Sequence, residues 1–106
     1  MWFVFPQIAG LGHTATAQFY ALASLEEARA YGEHPVLGTR LRECAGVLME
    51  LSDRTAPEIF GLVDSVKLRS SMTLFTRAIL GEPIFAQVLE RYFEGLPDAV
   101  TDQLLE

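Results

Sequence analysis

Between residues 37 and 93 apolar side chains recur every three or four positions, and glycine or proline repeatedly cuts the pattern into short pieces. That period is helical, and the β-branched alternation of a half-buried strand is nearly absent. The expected fold is all-α, a single compact multi-helical domain of about five to seven short helices spanning residues 1–106. Leu37, Leu41, Cys44, Leu48 and Leu51, spaced alternately four and three apart, mark the clearest amphipathic helix, with Pro35 at its first position.

Local signals set the other boundaries. Ser24 with Glu27 makes a capping-box pattern for a helix ending near Gly32, and Thr14 caps a shorter one through about Leu22. Thr55 with Glu58 repeats the capping box for a single turn that Gly61 ends, after which Asp64 or Ser65 caps a longer helix with the stripe Leu68, Met72, Phe75 and Ile79. Gly81 and Pro83 precede a helix from Ile84 to about Glu94 whose Phe85, Val88, Leu89, Tyr92 and Phe93 face inward. Gly95 closes it, and a short tail helix follows Asp98. The apolar opening Trp2 to Ile8, broken by Pro6 and followed by Gly10 and Gly12, reads as a buried irregular segment and a turn.

Half of the 106 residues are hydrophobic, enough for one core without staples. The single cysteine, Cys44, cannot close an intramolecular disulfide, which fits a reducing compartment and a cytoplasmic location. No stretch approaches the roughly 20 apolar residues of a membrane helix, so no membrane association is expected. Eight basic against fourteen acidic residues leave a net charge of -6, and the arginines are scattered, so nucleic acid is not expected as a partner.

Gly10-Leu11-Gly12-His13-Thr14-Ala15 has the form of a dinucleotide fingerprint, but Pro6 interrupts the strand that must precede it, and helix occupies the second strand's place. Only backbone amides at the start of the Thr14 helix remain to hold an anion there. No cysteine or histidine pair has zinc-ligand spacing, and no cofactor is expected. Cys44 on its apolar stripe reads as a core residue, and His34 before Pro35 as a cap or turn residue.

The chain's one lysine, Lys67, shares a helix side with Ser70 and Ser71, beside the apolar stripe. One reading makes this a site for an anionic, nucleotide-like small molecule. Lys67 supplies charge, Ser70, Ser71 and Thr73 supply hydroxyl donors, and Arg40 is a second cation. Trp2 or His13 forms a wall, with Gln7 as a polar contact of the aromatic segment. A second reading is an interaction module that binds another protein through an apolar patch and performs no chemistry. In a third, Asp64 pairs with Lys67, the hydroxyls bond back to the preceding turn, and Arg40 with Glu43 is a local surface ion pair. No catalytic residue is assigned, and whether the chain is an enzyme stays open.

Several ordered motifs carry a family resemblance. They are Trp2-Phe3-Val4-Phe5-Pro6-Gln7 with Gly10-Leu11-Gly12; His34-Pro35-Val36-Leu37-Gly38 with Arg40, Leu41 and Glu43; and Ile59-Phe60-Gly61, Asp64, Lys67-Leu68 and Ser70 to Phe75. In these the chain resembles an uncharacterised bacterial family known as domain of unknown function eighteen-ten, whose members often carry the label "calpastatin". The resemblance implies a multi-helical all-α fold and brings no established activity or catalytic residues. True calpastatin is a long, disordered, repetitive inhibitor, so a half-apolar, compactly patterned chain does not fit that label. Family members usually have a further N-terminal helical segment before the tryptophan motif, whereas Met1 here falls where that motif is under way. The expectation is therefore that Trp2, Phe3 and Phe5 are partly uncovered, with marginal stability or self-association through this apolar segment.

Overall fold

In a computed structural model that describes residues 5–11, 21–51 and 54–105, five helices lie among the described residues and follow from the caps and stripes. They are α1 (Leu25–Glu33), α2 (Leu37–Glu50), α3 (Ala56–Ala78), α4 (Pro83–Phe93) and α5 (Ala99–Leu105). The radius of gyration, 12.6 Å, is close to the roughly 13 Å of a compact domain of about 100 residues. The fold is all-α, as expected.

The helix starts are local. The Ser24 hydroxyl accepts from the Glu27 amide at 3.2 Å, and Thr55 with Glu58 forms the full reciprocal capping box. Helical hydrogen bonding in α2 is assigned from Leu37, but the cap lies earlier. The His34 ring accepts through Nδ1 from the amides of Val36 and Leu37, and its carbonyl accepts from Gly38. His34 is therefore the true cap and Pro35 the first residue, as the proline position indicates. An accepting Nδ1 keeps the ring proton on Nε2.

Gly61 breaks α3 with φ 80°, a left-handed value that glycine adopts freely. The helix resumes directly after it, which corrects the expected start at Asp64 or Ser65. Asp64 instead sits in the first turn after the break, where a carboxylate suits the helix dipole. Glu94 in a left-handed conformation and Gly95 close α4.

α3 is the central helix, packed by α1, α4 and α5, while α2 leans mainly on α1 and α4. From Ser65 to Ala78 it buries Leu68, Met72, Leu74 and Phe75 together with Ser70, Ser71 and Thr73. This is more of its circumference than the single stripe predicts. Phe75 stacks at a tilt on Tyr31 of α1 and Phe85 of α4, with centroids 5.7 and 5.6 Å apart, at the centre of the core. Cys44 is half-buried against that core.

At the N-terminal end Phe5, Pro6, Gln7 and Ile8 are buried. Ile8 bridges Leu22, with Leu22 N–H donating to Gln7 O and Ala9 N–H to Leu22 O, each at 2.8 Å. Leu22 therefore lies in an extended pairing rather than at a helix end. Gly10, at φ 104°, makes the expected turn. Trp2, Phe3, Gly12 and most of the Thr14 helix lie outside the described residues.

Candidate functional site

Lys67, Ser70, Ser71 and Thr73 are together on α3, and most of their polar atoms are engaged within the fold. Lys67 Nζ lies 3.6 Å from Asp64 Oδ1. The Ser70 hydroxyl donates back to Val66 O at 3.1 Å, and the Thr73 hydroxyl to Arg69 O at 2.8 Å. Thr73 also accepts from the Asp98 amide at 2.8 Å. Ser71 differs: its side chain is fully buried and its Oγ has no hydrogen-bond partner, an arrangement that costs free energy in an apolar interior.

The remaining sequence candidates are spread out. Gln7 is buried at the Ile8 bridge. Arg40 is exposed on α2, which leans away from α3 onto α1 and α4. Trp2 and His13 lie outside the described residues. The local Arg40–Glu43 pair is absent among the described residues, whose salt bridges are Arg42–Glu82, Lys67–Asp64 and Arg77–Asp102. Arg42 rather than Arg40 reaches a carboxylate, because its stem crosses from α2 to the segment before α4.

Sequence reading missed a set of polar locks on backbone carbonyls at helix ends, which have no partner within their own helix. Arg42 donates through Nη1 to Gly32 O at 2.6 Å, at the end of α1. Arg29 donates through Nε to Ala78 O at 3.2 Å, at the end of α3. The Tyr92 hydroxyl lies within hydrogen-bond distance of Leu48 O and Leu51 O at the end of α2, where its single proton is shared between the two carbonyls, and Arg91 adds a bond to Leu51 O. Cations and hydroxyl donors suit these negative helix ends.

A second row runs along α3. Arg69 donates to Leu96 O and Pro97 O, Thr73 accepts from Asp98, and Arg77 makes a bidentate pair with Asp102 at 3.0 and 3.1 Å. That contact raises the Arg77 pKa above its ordinary value. The four-residue spacing Arg69, Thr73, Arg77 was the one sequence signal available for this row.

Burial raises the pKa of Tyr31, an effect that Arg40 opposes. Among the described residues no group of three His, Cys, Asp or Glu side chains could hold a metal, and no helix is long and apolar enough to cross a membrane. The depressions between the helices include one of about 200 Å³ lined by Arg29, Glu33, Arg42, Ala78, Ile79 and Leu80, and one of about 300 Å³ between the Ile8 segment, the start of α1 and the end of α5.

These features define an all-helical domain whose polar side chains, most of them exposed or half-buried, lock one helix to the next. The chain belongs to the family described as "Protein of unknown function (DUF1810)", whose model matches residues 1–105. It is also similar to a solved structure, that of the conserved hypothetical protein Rv1873 from Mycobacterium tuberculosis. The TM-score is 0.96 and the identity 48%, over 98% of this chain and 74% of that one. A comparison with curated proteins found no match.

Proposed function

We propose that this protein acts by binding a partner protein through an apolar surface, as an interaction module. The observation that carries the reading is the uncovered face of α5. Val100 and Leu104, one turn apart, are 49% and 44% exposed, and Leu96 just before the helix is 56% exposed. Leu104 continues into the groove of about 300 Å³ that Ile8, Ala23, Leu25 and Leu105 also line. The partner is an amphipathic helix with apolar residues one turn apart and a basic rim, which complements Glu26 at the groove edge and the net charge of -6. Cys44, as the one cysteine, supports a reducing, cytoplasmic setting.

Selection from a library of helical peptides tests the proposal, with the Val100→Glu, Leu104→Glu double variant as counter-screen. Basic amphipathic peptides whose NMR perturbations centre on Ile8, Leu25 and Leu104, and which the variant does not bind, support it. Binders that map elsewhere, or that bind the variant equally well, overturn it.

The second reading, an anionic small molecule held beside Lys67, draws its support from Ser71, whose buried hydroxyl lacks a partner on the same helix. Its test is thermal-shift screening against nucleotides and sugar phosphates. Stabilisation that Lys67→Ala removes supports it, and the absence of any such stabilisation overturns it.

A further inference from the structure

Two arginines from different helices, Arg29 of α1 and Arg42 of α2, line one groove of about 200 Å³ with Glu33, Ala78, Ile79 and Leu80. Both are anchored at one end and open at the other. Arg29 Nε donates to Ala78 O. Arg42 Nε is held by Glu82, and its Nη1 donates to Gly32 O and, at 3.3 Å, to Gly38 O. A guanidinium has five N–H donors, so Arg42 retains the pair on Nη2 and Arg29 retains those on both terminal nitrogens. Anchoring lowers the side-chain entropy that a ligand would otherwise have to restrain.

Backbone shape supports the same assignment. A Cβ at Gly38 would lie 3.0 Å from Arg42 Nη1 and 2.7 Å from the carbonyl carbon of Gly32, so only glycine lets the guanidinium seat against both helices. Ala78, Ile79 and Leu80 give the groove an apolar side. Glu33 is the opposing feature. It lines the groove, yet it belongs to none of the salt bridges among the described residues, so it leaves the open nitrogens available while adding a negative charge to the groove.

We propose that the groove between Arg29 and Arg42 is a binding site for a small oxyanion, a carboxylate or phosphoryl group carrying a short apolar arm. The paired guanidinium edges would receive the oxyanion, and the Ile79–Leu80 side would receive the arm. The site is separate from the α5 surface and from Lys67.

NMR titration with inorganic phosphate and with butyrate, against sodium chloride at equal ionic strength, tests the proposal by following backbone amides and arginine Nε signals. The expected result is saturable shifts at Arg29, Glu33, Arg42 and residues 78–80 that chloride does not reproduce. Glu33→Gln, which removes the repulsive carboxylate, should tighten binding about two- to fivefold, and Arg29→Gln should weaken it by about fivefold or more. Both positions are exposed, and a melting curve for each variant confirms that it is folded. Saturation by phosphate alone assigns a phosphoryl ligand, and saturation by butyrate alone a carboxylate. If neither probe saturates, or if both variants bind as the parent does, the proposal is wrong.

Discussion

Replacing Gly38 by alanine should be among the most damaging small changes available to this chain, although alanine is the better helix former. A Cβ at position 38 would lie 2.7 Å from the Gly32 carbonyl carbon and nearer still to its oxygen, where ordinary contact begins at 3.4 Å. The obstacle is backbone rather than a rotatable side chain, and the oxygen is the nearer atom, so α1 and α2 must part by about 1.4 Å to restore ordinary contact. Separation also draws Gly32 O away from Arg42 Nη1. Overpacking costs about 1–3 kcal/mol and a charge-assisted bond contributes about 1.5–3, against a propensity gain of about 1. The expected net loss is about 1.5–5 kcal/mol, or a fall in Tm of at least about 6 °C for a domain of this size. Gly46→Ala is the matched control, because it lies on the same helix with nothing within 4 Å of the added carbon. It should stabilise by about 0.5–1 kcal/mol. Thermal and urea melts of the pair decide the matter: if Gly38→Ala melts at or above the parent, the close approach of α1 and α2 is wrong.

Four further outcomes are expected. Thr55→Ala should cost about 1 kcal/mol by urea denaturation. The bonds from the Thr55 amide and hydroxyl side hold the Glu58 carboxyl below its ordinary 4.5, so its contribution is present above the unfolded value and is lost as pH falls through the folded one. The stability gap between the parent and Glu58→Ala should therefore close on acidification from pH 7 to about 3, and a constant gap would refute this. Ser71→Ala, which removes a buried hydroxyl with no partner, should leave stability unchanged or raise it by up to about 1 kcal/mol; a loss greater than that would show an unseen bond. Thr73→Val should cost about 1–2 kcal/mol and speed hydrogen exchange at the Asp98 amide, while Thr73→Ser retains both bonds; a neutral valine variant would refute the tether.

The α3 break shows how far local reading reached. Gly61 was legible as a stop because a left-handed residue is a property of the chain at that point. The expected restart at Asp64 or Ser65 falls too late, because an acidic or hydroxyl residue in the first turn has the same composition signature as a cap. One of the alternative readings paired Arg40 with Glu43, three positions on, yet the bond that forms is Arg42 to Glu82, 40 positions away. For Lys67 the local reading held: Asp64 lies within ion-pair distance, and the hydroxyls of Ser70 and Thr73 return to carbonyls one turn earlier.

The sequence by itself determined where most of the helices begin and end. Ser24, His34, Thr55 and Gly95 act through groups within a few residues, and such bonds form whatever the rest of the chain does. Tertiary structure decided which helix lies at the centre and what each polar side chain would meet. Arg29 serves Ala78 from 49 positions away and Tyr92 serves Leu48 from 44, distances across which no periodicity carries information. The burial of Ser71 without a partner was settled in the same way, by the packing of α1, α4 and α5 around α3, and the opening of Arg29 and Arg42 onto one groove by the packing of α2 against α1 and α4.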